Sequence, residues 1–234
     1  MITSFYTAAT GTIQLQKGID VAANNIANVE TTGYKATEPT FSDLLYTNIH
    51  AAPNTQTDLK NGHGTKLAKT DTVFTQGGLK QTGQMMDYAL TQPNEFFAVQ
   101  TGGTIKYTRN GNFHISEESG LKYVVDSTGG YVLGANGQRI TVNSETDDVP
   151  AAVYSFPDCD GLSREGNSYF TATDRSGAAT RVENPAVKKG WLEESSANLS
   201  TELTSVMELQ RAFQMNSKIV QMSDEIMQTV NNLR

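Results

Sequence analysis

The residues that could do chemistry are few and scattered. His50, His63 and His114 stand alone, with neither an HExxH helix nor paired Cys/His spacing to gather a metal. Cys159 is the only cysteine, so neither an internal disulfide nor a CxxC knuckle can form. Asp158 and Asp160 begin like a calcium loop, but the third acidic position and the closing Glu of an EF-hand are missing, so a turn is expected there. The adjacent carboxylates Glu117-Glu118 and Glu193-Glu194 cannot face a common site as an acid and a base must. No GxSxG, Walker-type or GxGxxG run occurs, which leaves acyl transfer and nucleotide binding without support. Asn198-Leu199-Ser200 fits a glycosylation triplet, yet it falls at an expected helix start, where capping is the simpler role. The expectation is a non-enzyme with no catalytic, cofactor or metal site.

Composition narrows the class further. The 234 residues are 37% hydrophobic, with a mean hydropathy of -0.42. They contain no run of about 18 apolar residues, so no membrane insertion is expected. A net charge of -7, with 18 scattered Lys and Arg, argues against a nucleic-acid partner, because phosphate binding needs clustered cations. The first twenty residues lack a basic start, an apolar block and a small-residue cleavage site, so export without a cleaved signal is the expectation.

Positioning falls to three textures. Phe5, Ala8, Thr12, Leu15, Ile19, Ala22, Ile26 and Val29 recur at alternating spacings of three and four, a coiled-coil seam on a first helix reaching about residue 34. Before Lys35 that helix carries only Lys17, Asp20 and Glu30 as charges, and Gly11 and Gly18 beside the seam each cost about 1 kcal/mol relative to Ala. Close helix approach and burial between subunits are the expected compensation, with a simple two-helix core as the alternative. Leu199, Leu203, Val206, Phe213, Val220, Met227 and Val230 form the answering stripe at the other end. Residues 36–71, with Pro39, Pro53, Asn54, Gly62 and Gly64, read as an extended connector. Phe41, Leu44, Leu45 and Tyr46 could make one helical turn within it, and a contact to a neighbouring molecule is one use for its length.

From residue 72 onward short strands are expected at 96–100, 104–109, 112–116, 121–125, 131–133 and 140–142. Gly102-Gly103, Asn110-Gly111, Gly129-Gly130 and Asn136-Gly137 lie between them as hairpin loops. A second β group is expected at 152–156 and 168–173. The fold class is α+β, with a discontinuous coiled-coil domain (1–35 and 190–234), a connector (36–71) and a central antiparallel all-β domain (72–189).

Two stretches resemble a known family. Ala22-Ala23-Asn24-Asn25-Ile26-Ala27-Asn28-Val29-Glu30-Thr31-Thr32-Gly33-Tyr34-Lys35 is similar to the amino-terminal signature of bacterial flagellar rod and hook proteins. Gly190-Trp191-Leu192-Glu193 through Asn198, followed by Glu208-Leu209-Gln210-Arg211-Ala212-Phe213, resembles the carboxyl-terminal one. Phe96 to Gln100, Tyr107 to Phe113 and Tyr131 to Gly134 resemble the β domain of the basal-body rod proteins. Gln92-Pro93-Asn94-Glu95 replaces the family's Gly before the paired Phe, and Ser195-Ser196-Ala197-Asn198 its Ser-Asn-Val-Asn.

The resemblance implies a structural subunit of the flagellar rod, of distal or proximal type, whose terminal helices pair with each other and with those of neighbours in a helical homopolymer. It implies other rod proteins, hook protein and ring proteins as partners, and passage unfolded through the flagellar export apparatus to the basal body. Met207, Met215, Met222 and Met227 suit the varied contacts of such a tube, or are ordinary core filler. A wall-associated adhesin whose β domain grips a ligand is the alternative in another class, and would show a concave aromatic patch. A wall-glycan hydrolase comes third.

Overall fold

The computed structural model describes residues 3–48, 60–118, 120–144 and 147–233. The chain divides into a helical unit (Met1–Ile26, Thr37–Asp71 and Leu199–Arg234) and a β-rich unit (Ala27–Ala36 and Thr72–Asn198). The fold is α+β. Residues 37–71 thus group with the helices, and 27–36 and 190–198 with the strands.

In the helical unit, α1 spans Thr3–Ala27. It stops well before residue 34, because the Asn-rich exit turns on itself: the Thr31 amide donates to the Asn28 carbonyl (3.1 Å), and the Thr31 hydroxyl to Asn28 Oδ1 (3.2 Å). Val29 therefore lies outside the helix. After it come β1 (Thr37–Asp43), β2 (Thr47–Asn48), β3 (Lys60–Asn61) and β4 (Thr65–Thr72), in which β1 pairs with β4 and β2 with β3. Among the described residues the connector is extended chain that pairs as strands, and it carries no helical turn at Phe41 to Tyr46, which corrects that expectation. Leu44 donates its amide across to Gly64 (2.9 Å), so the backbone is satisfied between strands instead of along a helix. His50, Pro53 and Asn54 lie outside the described residues. The long α2, Leu199–Asn232, completes the unit.

The β-rich unit holds β5 (Leu79–Gln81), β6 (Tyr88–Leu90), β7 (Glu95–Thr101), β8 (Thr104–Thr108), β9 (Phe113–Glu118), β10 (Leu121–Asp126) and β11 (Tyr131–Val132). Beyond these lie β12 (Val153–Ser155), β13 (Ser163–Glu165), β14 (Tyr169–Thr171), β15 (Thr180–Arg181), β16 (Val187–Lys189) and β17 (Trp191–Glu193). Its main sheet runs in the order β13-β14-β8-β7-β11-β10-β9, with β12 joining β7 to β15, and its strand pairs are antiparallel.

Strand β7 is central because it is buried on both sides. Phe97 packs with Phe113, Val124, Val132 and Val153, while Phe96 and Ala98 pack with Phe74, Tyr107, Phe156 and Phe170. That two-sided burial explains its unbroken apolar run. Two hairpin expectations need correction. Residues 140–142 make only a bridge, Thr141 to Tyr123. At Asn110-Gly111 the glycine serves close approach, since an added Cβ would fall 1.7 Å from the Tyr88 carbonyl oxygen. Asp158 caps the 3-10 turn Cys159–Gly161, accepting from the Asp160 amide (3.0 Å), so those acids form a turn as expected.

Candidate assembly surface and the charge cluster behind the signature residues

Small residues at heptad spacing bring the terminal helices together. Along α1 the buried positions are Ala8, Gly11, Gly18, Ala22 and Asn25. A Cβ on Gly11 would lie 2.8 Å from Asn216 Nδ2, and one on Gly18 would lie 2.9 Å from Phe41 Cζ and 3.4 Å from Leu209 Cδ1. Asn25 donates Nδ2 to Glu202 Oε1 (3.0 Å). These contacts step by seven residues on both helices, in opposite directions, as an antiparallel pair requires.

The expected α1 stripe shares Ala8, Leu15 and Ala22 with this seam. The other half of each heptad is Gly11, Gly18 and Asn25 rather than Thr12, Ile19 and Ile26, which are half-buried beside it, as is Phe5. Hydropathy pointed one residue off because glycine and asparagine carry no apolar signal, yet a side chain at Gly18 would meet Phe41 and Leu209, one at Gly11 would meet Asn216, and Asn25 is held by hydrogen bonds.

On α2 the inner positions alternate by three and four through Leu199, Glu202, Val206, Leu209, Phe213, Asn216, Val220, Ser223, Met227 and Val230. From Glu202 to Met227 they are half-buried or buried, whereas Leu199 and Val230, near the ends of the longer helix, are exposed. Of the expected seam only Leu203 falls off this line. Glu202, Leu209, Asn216 and Ser223 were missed, three of them polar. Further apolar side chains remain uncovered: Leu203 and Met207 each follow an inner residue, while Met215, Ile219, Met222 and Ile226 each precede one. A step of one residue either way along a helix turns the side chain about 100°. Exposed apolar side chains thus lie on both flanks of α2, on one only near its start (Leu203 and Met207) and on the other from Met215 to Ile226, with Met215 at 61% and Ile226 at 56%.

The signature residues fall into two groups. In the helical unit, Asn25 also donates to the Thr37 carbonyl (2.8 Å) and accepts from the Thr37 amide (3.0 Å), so one side chain ties α1, β1 and α2 together. Asn24 and Arg211 are exposed.

In the β-rich unit, Gly33 adopts φ +65° and donates its amide to the Glu193 carbonyl (2.8 Å). A Cβ there would meet the Arg109 carbonyl carbon at 2.6 Å, so only glycine fits both the angle and the space. Tyr34 is buried under the Arg164 guanidinium, 5.0 Å from its ring centroid. Thr32 lines a cavity of about 530 Å³ with Val29, Leu192 and Ala197, Asn28 is half-buried, and Ala27 and Asn198 are exposed.

Sequence reasoning missed two functional partners of Glu193. Lys35 Nζ donates to Glu193 Oε1 (2.7 Å) and to the Thr75 carbonyl (2.6 Å), and Arg109 Nε donates to Glu193 Oε2 (2.8 Å). Arg109 Nη1 also donates to the carbonyls of Gln92 (2.5 Å), Pro93 (3.2 Å) and Glu95 (2.7 Å). The Lys35, Arg109 and Glu193 side chains are 0% exposed in their ion pairs. The available signal was that Lys35, Arg109 and Glu193 each fall within a segment that carries the family resemblance.

Burial raises the Glu193 pKa, but the two cations outweigh it and hold the carboxyl below its ordinary range. Lys35 has one anionic and one cationic neighbour, so burial prevails and its pKa is lowered.

A chain whose two ends form one helix pair, and whose middle forms an antiparallel β unit, matches three family models. Residues 5–35 match the model described as "Flagella basal body rod protein", residues 92–152 that of the "Flagellar hook protein FlgE/F/G D1 domain", and residues 188–233 that of the "Flagellar basal body rod FlgEFG protein C-terminal". The chain belongs to the flagellar basal-body rod protein family. It is 32% identical to the flagellar basal-body rod protein FlgG of Bacillus subtilis (strain 168), over 100% of both chains. It is 30% identical to FlgG of Borreliella burgdorferi, over 100% of this chain and 99% of that relative. It is also similar, at 27% identity over 100% of both chains, to the flagellar hook-basal body complex protein FlhP of Bacillus subtilis.

Proposed function

We propose that the chain is a non-enzymatic structural subunit of the flagellar basal-body rod, of the distal-rod type, polymerising into the axial shaft that transmits torque from motor to hook. The observation that carries this reading is the uncovered apolar surface on both flanks of α2. Apolar stripes of this kind on a chain otherwise rich in polar surface mark contact sites, and two flanks on one helix provide for neighbours on either side. The seven-residue contact register supports an antiparallel coiled coil between α1 and α2 as the repeating element. Heterologous contacts between such elements propagate without closing, which is how one chain builds a helical homopolymer. The full-length similarity to FlgG proteins supports the distal type. Other rod proteins, the hook protein and ring proteins follow as partners, with the flagellar export apparatus as the route outside the cytoplasmic membrane.

The test is complementation of a strain lacking the gene. Met222→Asp combined with Ile226→Asp should give full-length, folded protein but no swimming and rods arrested before the hook in isolated basal bodies, because an unpaired charge in an apolar contact costs several kcal/mol. Normal rods from that variant would overturn the reading.

A further inference from the structure

Three ionisable side chains inside the β-rich unit come from places far apart in the chain. Lys35 precedes the first strand, Arg109 follows β8, and Glu193 ends β17. Among the described residues, the only ion pair either cation makes is with Glu193. The backbone around it closes the same edge: the Gly77 amide donates to Glu193 Oε1 (3.0 Å), and β17 pairs with β5. The Glu194 amide donates to the Gly78 carbonyl (2.7 Å), and that of Ser196 to the Tyr34 carbonyl (3.0 Å). The Ala36 amide donates to Ser196 Oγ (2.9 Å). Without this segment, two cations would share a buried space with no bonded carboxylate, which repulsion and desolvation both oppose.

We infer that Glu193 is a completion latch. The β-rich unit closes only when residues 191–196, supplied from the carboxyl-terminal side, dock this carboxylate between Lys35 and Arg109, and a chain without that charge stays open along this edge. Closure sets residues 36 and 196 within hydrogen-bond reach, the first following α1 (Thr3–Ala27) and the second just before α2 (Leu199–Asn232). The latch therefore shortens the effective loop that must close for α1 and α2 to pair, so helix pairing is favoured in chains whose latch is closed over those in which it is open. This inference concerns the order of closure and stands apart from the rod-subunit reading.

The test is hydrogen exchange on the full-length chain. In Glu193→Gln, protection of the Gly33, Gly77, Glu194 and Ser196 amides should fall by about 100-fold or more, the scale of a buried ion pair that loses one member. Protection of the Ala98 and Leu133 amides, which bond to Ala152 and Ala98 within the sheet core, should persist. In a Lys35→Met/Arg109→Met background, adding Glu193→Gln should change the edge amides by less than about 10-fold, since no cation is left uncompensated. Equal losses in both backgrounds, or unchanged edge protection in the single variant, would overturn the latch. Should Glu193→Gln alone unfold the chain, the triple variant must recover protection at Ala98 and Leu133, and continued unfolding overturns it as well.

Discussion

The two units solve opposite packing problems. The β-rich unit buries whole aromatic rings on both sides of β7 and finds partners inside for a lysine, an arginine and a glutamate. The helical unit buries mainly glycine, alanine and asparagine at its seam and leaves isoleucine and methionine in water. The β-rich unit leaves only a few large apolar side chains exposed, among them Met85, Ile105 and Leu121, whereas the helical unit exposes many more. The proposed role of the helices in assembly rests on that contrast.

The sharpest way to break the comparison is to hollow the β-rich unit. Phe97→Ala should cost about 3–5 kcal/mol in denaturant unfolding, because Phe97 is 0% exposed; a loss below about 1 kcal/mol would mean that the sheet core is not what holds this unit. Overfilling the helical seam comes next. Gly18→Leu must push against Phe41 and Leu209 and should cost about 1–3 kcal/mol, read as early loss of helical signal on heating.

Acid separates the units by sign. Glu193 has a folded-state pKa below its ordinary 4.5, so its contribution to the β-rich unit is present above pH 4.5 and is lost as pH falls through the folded value. Glu202 in the helical unit is shifted the other way, raised by burial and by Glu38 against the bond from Asn25. Its contribution is present below pH 4.5 and is lost as pH rises through the folded value. Exchange protection followed from pH 7 downward should therefore weaken at the Gly77 amide and strengthen around Asn25. Glu95, raised by burial in the β-rich unit, opposes the first trend, and Glu193→Gln isolates it by abolishing that acid loss.

The smallest effect on the isolated chain is the most telling for function. Met215→Ser should shift unfolding by no more than about 0.5 kcal/mol, as for other surface changes, while weakening self-association in sedimentation. A large stability loss would mean that this flank is already covered within one chain.

Much of this was legible in residue order. The apolar repeats at both ends, the Gly102-Gly103 loop between β7 and β8, and the Phe96-Phe97 run each express a local periodicity that the backbone obeys wherever it lies. The pairing of β1 with β4 was not legible, because Thr-rich segments separated by a long interval carry no short-range turn signal. Nor was the choice of Gly18 over Ile19 for the seam. Hydropathy ranks isoleucine first, whereas Phe41 and Leu209 together leave room for no side chain at that point.

By itself the sequence determined the long terminal helices, most of the strands of the middle and the heptad repeats at both ends, but not the strands at 37–43 and 65–72. Only the tertiary structure decided which side of each heptad faces inward and that Lys35, Arg109 and Glu193 share one buried site. Local propensity depends on neighbours in the chain. Burial depends on what arrives from far along it, and a charge declares itself structural only when its partners are in place.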